Sequence, residues 1–202
     1  SIYVGSELAP IAAAAAAQSP GPTVEVPAAS LVRYVGTYRL GPGWYVRIRR
    51  EGTTLLTQAT REGEFPLSPR SEREFWVQGY NAPMTFVRDS ASGEVTLHYR
   101  SFRVPRLRPQ EAPRARALQA LAGDYVSEEL GTSYEVVVQD TTVTLRHFRH
   151  GDIPLVHAWG DDWSAAPFFL RSVAFQRDAR GRVTGLLVNA GERARDIRFV
   201  RR

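Results

Sequence analysis

Leu31-Val32-Arg33-Tyr34-Val35-Gly36-Thr37-Tyr38 and Leu118-Gln119-Ala120-Leu121-Ala122-Gly123-Asp124-Tyr125 are two versions of one octapeptide, each ending in Gly-x-Tyr. Downstream of each, the same landmarks return in the same order. Pro66-Leu67 lies over Pro154-Leu155, and Phe75 over Trp163. Phe86-Val87-Arg88-Asp89 lies over Phe175-Gln176-Arg177-Asp178, with Gly93 and Gly181 following. The offset stays between 87 and 89 residues. Order and spacing held together over so long a stretch read as one domain present twice.

Between the landmarks the chain is a series of short strands. Trp44, Val46 and Ile48 alternate with Tyr45, Arg47 and Arg49, the period of two of a half-buried strand. Gly52-Thr53, Gly79 to Pro83 and Asp89 to Gly93 supply turns in the first copy. In the second, Glu135 to Gln139 pairs with Thr142 to Phe148 across Asp140-Thr141, and Ser172 to Arg177 pairs with Val183 to Val188. About eight strands per copy predict an all-β fold of two tandem eight-stranded antiparallel barrels. Closing each sheet removes the edge strands that invite aggregation. A barrel of eight strands either fills its interior with side chains or holds one small ligand.

The expected organisation is residues 1–29 as a short helical tail and Ala/Pro-rich linker, a first barrel over 30–104, a Pro/Arg-rich connector over 105–117 and a second barrel over 118–202. Pro20, Pro22 and Pro27 with Gly21 break any continuous helix before the first barrel. Arg114 to Leu121 has room for one or two helical turns, with Leu118 and Leu121 on one side.

Composition excludes several chemistries. The 202 residues contain no cysteine, so disulfides, thiolate metal sites and cysteine nucleophiles are absent. All 26 basic residues are arginine, so no side-chain amine can act as base or nucleophile. The net charge of +5 is spread through strands and beside acids, as in Arg47, Arg49, Arg50 and Glu51, and no nucleic-acid motif accompanies it. The densest run, from Arg100 to Arg116, falls in the connector and reads as solvated. Neither a nucleic-acid partner nor a membrane span is expected; the apolar run Ile11 to Ala17 is too short to cross a bilayer.

The Gly-x-Tyr openings, Leu121 to Leu130, and the Phe-x-Arg-Asp segments at 86–89 and 175–178 resemble the C-terminal lipocalin-like domains of serine β-lactamase-related, penicillin-binding-protein-like hydrolases, the D-aminopeptidases among them. Tyr3 to Pro10 is similar to the last helical region of their catalytic domain. The resemblance implies a non-catalytic accessory module that packs on the serine-hydrolase domain of the same parent protein, with a barrel loop reaching toward the active site. It further implies an exported, periplasmic location. The family's Ser-x-x-Lys nucleophile motif is missing, so no catalytic residue is expected in this chain. The alternatives are a lipocalin-like small-ligand carrier and a structural or oligomerisation module.

Four groups of residues come into question as sites. Arg149, His150 and Asp152 form the most polar loop of the second copy, opposite Glu62-Gly63-Glu64 in the first, and are the candidate substrate-access loop. Trp159 and Trp163 are candidate ligand or interface aromatics, in a less regular stretch than Trp44 and Trp76. His147, His150 and His157 lie near Asp152, but no ligand-spaced motif completes them, and neither a metal nor a cofactor is expected. Ser127 beside Glu128 and Glu129 lacks the elbow and the base of a nucleophile.

Overall fold

The computed structural model describes residues 21–191 and 194–202. The expected N-terminal tail lies largely outside the described residues. A short helix α1 (Ala28–Leu31) runs into a 3-10 turn (Val32–Tyr34) and the first sheet. That sheet is a meander of β1 (Gly36–Gly41), β2 (Trp44–Glu51), β3 (Thr54–Ala59), β4 (Glu64–Pro69), β5 (Glu74–Val77), β6 (Ala82–Arg88), β7 (Val95–Tyr99) and β8 (Phe102–Pro105). It is nearly closed, because Tyr38 bridges Arg106 and the Leu107 amide donates to the Thr37 carbonyl at 2.8 Å. Pairing in the first barrel therefore runs past Pro105 into the expected connector.

The second unit opens with α2 (Ala115–Gln119) and continues as β9 (Gly123–Ser127), β10 (Thr132–Gln139), β11 (Thr142–His147), β12 (Gly151–Trp159), β13 (Asp162–Ala165), β14 (Ser172–Arg177), β15 (Val183–Asn189) and β16 (Ile197–Arg201). These eight strands close into a barrel, with β16 back against β9. The two sheets are all-β, antiparallel and eight-stranded, as the strand pattern predicts.

The repeat is visible residue by residue. Tyr38 and Tyr125 are fully buried, and each hydroxyl donates to a carbonyl four residues back, Tyr34 at 2.9 Å and Leu121 at 2.6 Å. A buried phenol needs such a partner, because an unpaired polar atom there costs about 1–3 kcal/mol. Phe86 packs against Tyr38 and Phe75 as Phe175 packs against Tyr125 and Trp163, all with centroids 5.7–6.4 Å apart. Edge-on pairs of this kind add about 0.5–1.5 kcal/mol each beyond their buried area. Asp89 and Asp178 accept backbone amides within their turns, and Gly93 and Gly181 follow at φ +73° and +76°.

Gly36 and Gly123 share a second device. At φ +152° and +142° both sit where an L side chain is strained. Against each lies an arginine from the far end of its barrel. Arg106 donates to the carbonyls of Arg33 and Val35, and Arg201 to those of Ala120 and Ala122. These are orphan carbonyls at the ends of the short helical turns, which a guanidinium fork satisfies well.

The interior of the second barrel is filled. Tyr125, Tyr134, Val136, Leu145, Leu155, Trp163, Phe175, Leu186 and Phe199 belong to one buried cluster, closed at one end by Leu118 and Leu121 of the α2 region. In the first barrel, Val46, Ile48, Leu55, Leu67, Phe75, Met84, Phe86 and Leu97 are buried. Trp44, expected on the inner face with Val46 and Ile48, is exposed because it stands at the first position of β2, beyond the packed interior. On the outer faces arginines pair across strands, as Arg49 with Glu64 and Arg177 with Asp161. Among the described residues no helix is long and apolar enough to cross a membrane.

Candidate functional site

In a meander barrel alternate turns share an end. The turns after β9, β11, β13 and β15 therefore gather at the end of the second barrel away from α2. The two most exposed large apolar side chains among the described residues lie there. Phe148 is 76% exposed and Phe168 81%, with Leu130 beside the first turn at 52%. Exposed apolar groups of this size gathered at one end of a domain mark an interaction surface more often than accident.

A continuous stack of rings anchors this end to the core. From inside outward it runs Phe199, Tyr134, His147, His150, Phe169 and Phe168, with successive centroids 5.1, 5.0, 4.9, 4.4 and 5.6 Å apart. The stack ties the β11–β12 turn to the β13–β14 loop. Phe148 packs on His147 at 4.6 Å, and the Arg149 guanidinium carbon lies 5.2 Å from the Phe148 ring centre. That places a cation over an aromatic face.

His147 is the pivot. It is only 7% exposed. Its Nδ1 accepts the Arg149 amide at 3.1 Å, so the proton sits on Nε2, which donates to Thr132 Oγ1 at 2.9 Å. Burial pushes its pKa down, and the neighbouring His150 and Arg149 push the same way. A neutral imidazole with both nitrogens engaged has no lone pair free for a metal. Among the described residues no three His, Asp or Glu side chains come together as a metal site.

The three residues of the expected access loop divide. Arg149 and His150 lie at the ring-stacked end. Asp152 lies on the outer face of β12, opposite Arg146 in register, and takes its guanidinium fork at 2.8 and 3.3 Å. Arg146 also reaches Glu135 across β10, and its hydrogen bonds hold the Asp152 carboxyl below the usual range. Of the two tryptophans, Trp163 is buried in the interior, 4% exposed, edge-on to Phe175 and His157. Trp159 is half-buried next to the bulge in β12. Ser127 is buried, and its hydroxyl accepts the Leu130 amide at 3.4 Å within the β9–β10 turn.

Reading by residue type missed His147 as a packed pivot and the phenylalanines around it. A signal was present in Pro167-Phe168-Phe169-Leu170, an apolar run where a loop should be polar. The assembled surface carries aromatic rings and one arginine. It can bind an apolar surface or a carbonyl. Compared with models of known protein families and with curated proteins, the sequence matches none.

Proposed function

We propose that the chain is a non-catalytic, lipocalin-like accessory module of a serine hydrolase of the β-lactamase and D-aminopeptidase kind. It docks on the catalytic domain and shapes substrate access. The observation that carries the reading is the pair of exposed phenylalanines, Phe148 and Phe168, set on a stack of rings that continues into the core. A rigidly backed aromatic pair is suited to be the centre of a protein interface, where such residues dominate the binding energy. The repeated Gly-x-Tyr and Phe-x-Arg-Asp motifs supply the identity of the partner through their resemblance. The filled interior of the second barrel favours docking over the carriage of a small ligand, which needs an open apolar cavity.

Arg149 stands at the rim of this surface, where its donors suit a substrate carboxylate or carbonyl. In the parent enzyme it influences which substrate enters, while the acyl-enzyme forms on a nucleophile elsewhere. A self-association module is the second reading, since the same phenylalanines suit a copy of the chain.

The test has two arms. The isolated chain should hydrolyse neither nitrocefin, p-nitrophenyl acetate nor D-alanine amide, and serine-dependent turnover by pure chain overturns the proposal. In the full-length enzyme, Arg149→Ala with His150→Ala should change the ratios of kcat/KM across a panel of amides and esters. Concentration-dependent dimerisation of the isolated chain that Phe148→Ser abolishes, with unchanged ratios in the enzyme, establishes the second reading instead.

A further inference from the structure

The seam that closes the second barrel is short. β16 pairs with β9 at Val200 with Val126 and Arg201 with Tyr125, and the Arg202 amide donates to the Asp124 carbonyl at 2.9 Å, although β9 runs on to Ser127 and β16 begins at Ile197. Other neighbouring strands of this barrel hold four to six paired positions, except β13 and β14, which hold three. Beyond Val126 and Val200 the two strands carry on without pairing to each other.

Over this seam lies a groove of about 490 Å³ on the outer face, lined by Val126, Glu128, Glu129, Arg198, Val200 and Arg202. The even-numbered positions of both strands point the same way, outward, which puts the two valines on the floor. Val200 is 49% exposed, so its side chain is open to a ligand. Acids stand on the β9 rim and arginines on the β16 rim. On most outer faces of this barrel arginine meets acid, as Arg146 meets Asp152 and Glu135, and Arg182 meets Asp178. Here, among the described residues, neither glutamate closes an ion pair with either arginine across the groove.

We infer that this groove is a binding site for a short extended peptide bearing a basic residue toward Glu128 and Glu129 and an acidic residue toward Arg198 and Arg202. Two features support that ligand class. The valine floor takes an aliphatic side chain of the peptide between its charges. The rims present opposite charge at the two sides, so a ligand with one sign alone satisfies only half of the site. The site lies on the outer face of the seam and does not depend on docking through Phe148 and Phe168.

The experiment is a titration of the ¹⁵N-labelled chain, followed by amide chemical shifts, with the capped peptides Ac-Lys-Val-Thr-Glu-NH2, Ac-Lys-Val-Thr-Gln-NH2 and Ac-Gln-Val-Thr-Glu-NH2. Shifts should concentrate at Val126 to Glu129 and Ile197 to Arg202. Each charge removed from the peptide should weaken binding about threefold, in line with partly exposed ion pairs worth several tenths of a kcal/mol. Raising salt should reduce the preference. In the variant Arg198→Gln with Arg202→Gln, the chain should no longer distinguish the Glu peptide from its Gln counterpart, yet still prefer Lys. Glu128→Gln with Glu129→Gln should show the converse. Preserved shift dispersion in each variant verifies folding. Equal binding of all three peptides, shifts centred on Phe148 and Phe168, or no shifts at millimolar peptide overturns the inference.

Discussion

Replacing Gly36 by alanine tests the clasp that ends each barrel, and the second copy provides an internal control. An ideal Cβ on Gly36 falls 2.6 Å from Arg106 Cδ and 2.9 Å from its Cγ. On Gly123 the nearest atom is Arg201 Nε at 3.2 Å, which a small shift accommodates. Both alanines bear the strained positive φ, about 1–3 kcal/mol. Only Gly36→Ala must also displace its arginine and lose the bonds to Arg33 and Val35, about 1 kcal/mol each. The expected losses are roughly 3–5 kcal/mol for Gly36→Ala and roughly 1–3 kcal/mol for Gly123→Ala. Native-state hydrogen exchange reads the two barrels separately, at the Phe86 and Phe175 amides, which lie in paired strands of the first and second barrel. Because Arg106→Ala removes both the clash and the clasp, its combination with Gly36→Ala should fall short of additivity by about 1–2 kcal/mol. Equal losses at the two glycines, or strict additivity with Arg106→Ala, would refute the reasoning.

Tyr125→Phe should destabilise the second barrel by about 1–2 kcal/mol, because the Leu121 carbonyl loses a buried donor; chemical denaturation measures it. Burial pushes the Tyr125 phenol up to about 12, so its contribution is complete below pH 10 and fades as pH rises from there through 12. Tyrosinate absorbance should accordingly lose one late step, near pH 12, in Tyr125→Phe, while the still later steps of Tyr38 and Tyr45 remain. His147 has the opposite sign: its depressed pKa gives stability that is present above the ordinary histidine value near 6.5 and fades as pH falls below it. A falling protection factor of the Arg149 amide on acidification, absent from His147→Phe, is the expected readout, and a pH-independent protection factor contradicts it. Phe148→Ser and Phe168→Ser should change stability by no more than about 0.5 kcal/mol, as exposed sites do. Loss of docking with unchanged melting separates an interface role from a structural one.

Much of the fold is legible in local chemistry. The alternation of Val46 and Ile48 with Arg47 and Arg49 reports a strand wherever it occurs in a chain. The Asp-to-Gly turns at 89–93 and 178–181 need only their own side chains and amides. The 87–89 residue offset then doubles every such signal. The β14–β15 hairpin, Ser172–Arg177 and Val183–Asn189, lies where expected but for one added residue, Asn189, for that reason.

By itself, the sequence determined that this protein is two copies of an antiparallel barrel, because strand period and turn chemistry are properties of residues near one another. Only the tertiary structure decided which residues meet around each closed sheet. Arg106 and Arg201 are equivalent in space yet 95 residues apart, outside the repeat offset, because the two copies differ in length after their Phe-x-Arg-Asp segments. His147 looked like one polar residue among several; burial under Tyr134 and His150 makes it a neutral pivot. Asp152 left the candidate site because the β11–β12 register sets it across from Arg146. Burial, register and closure depend on neighbours distant in the chain, and those contacts exist only once the strands have gone round the barrel.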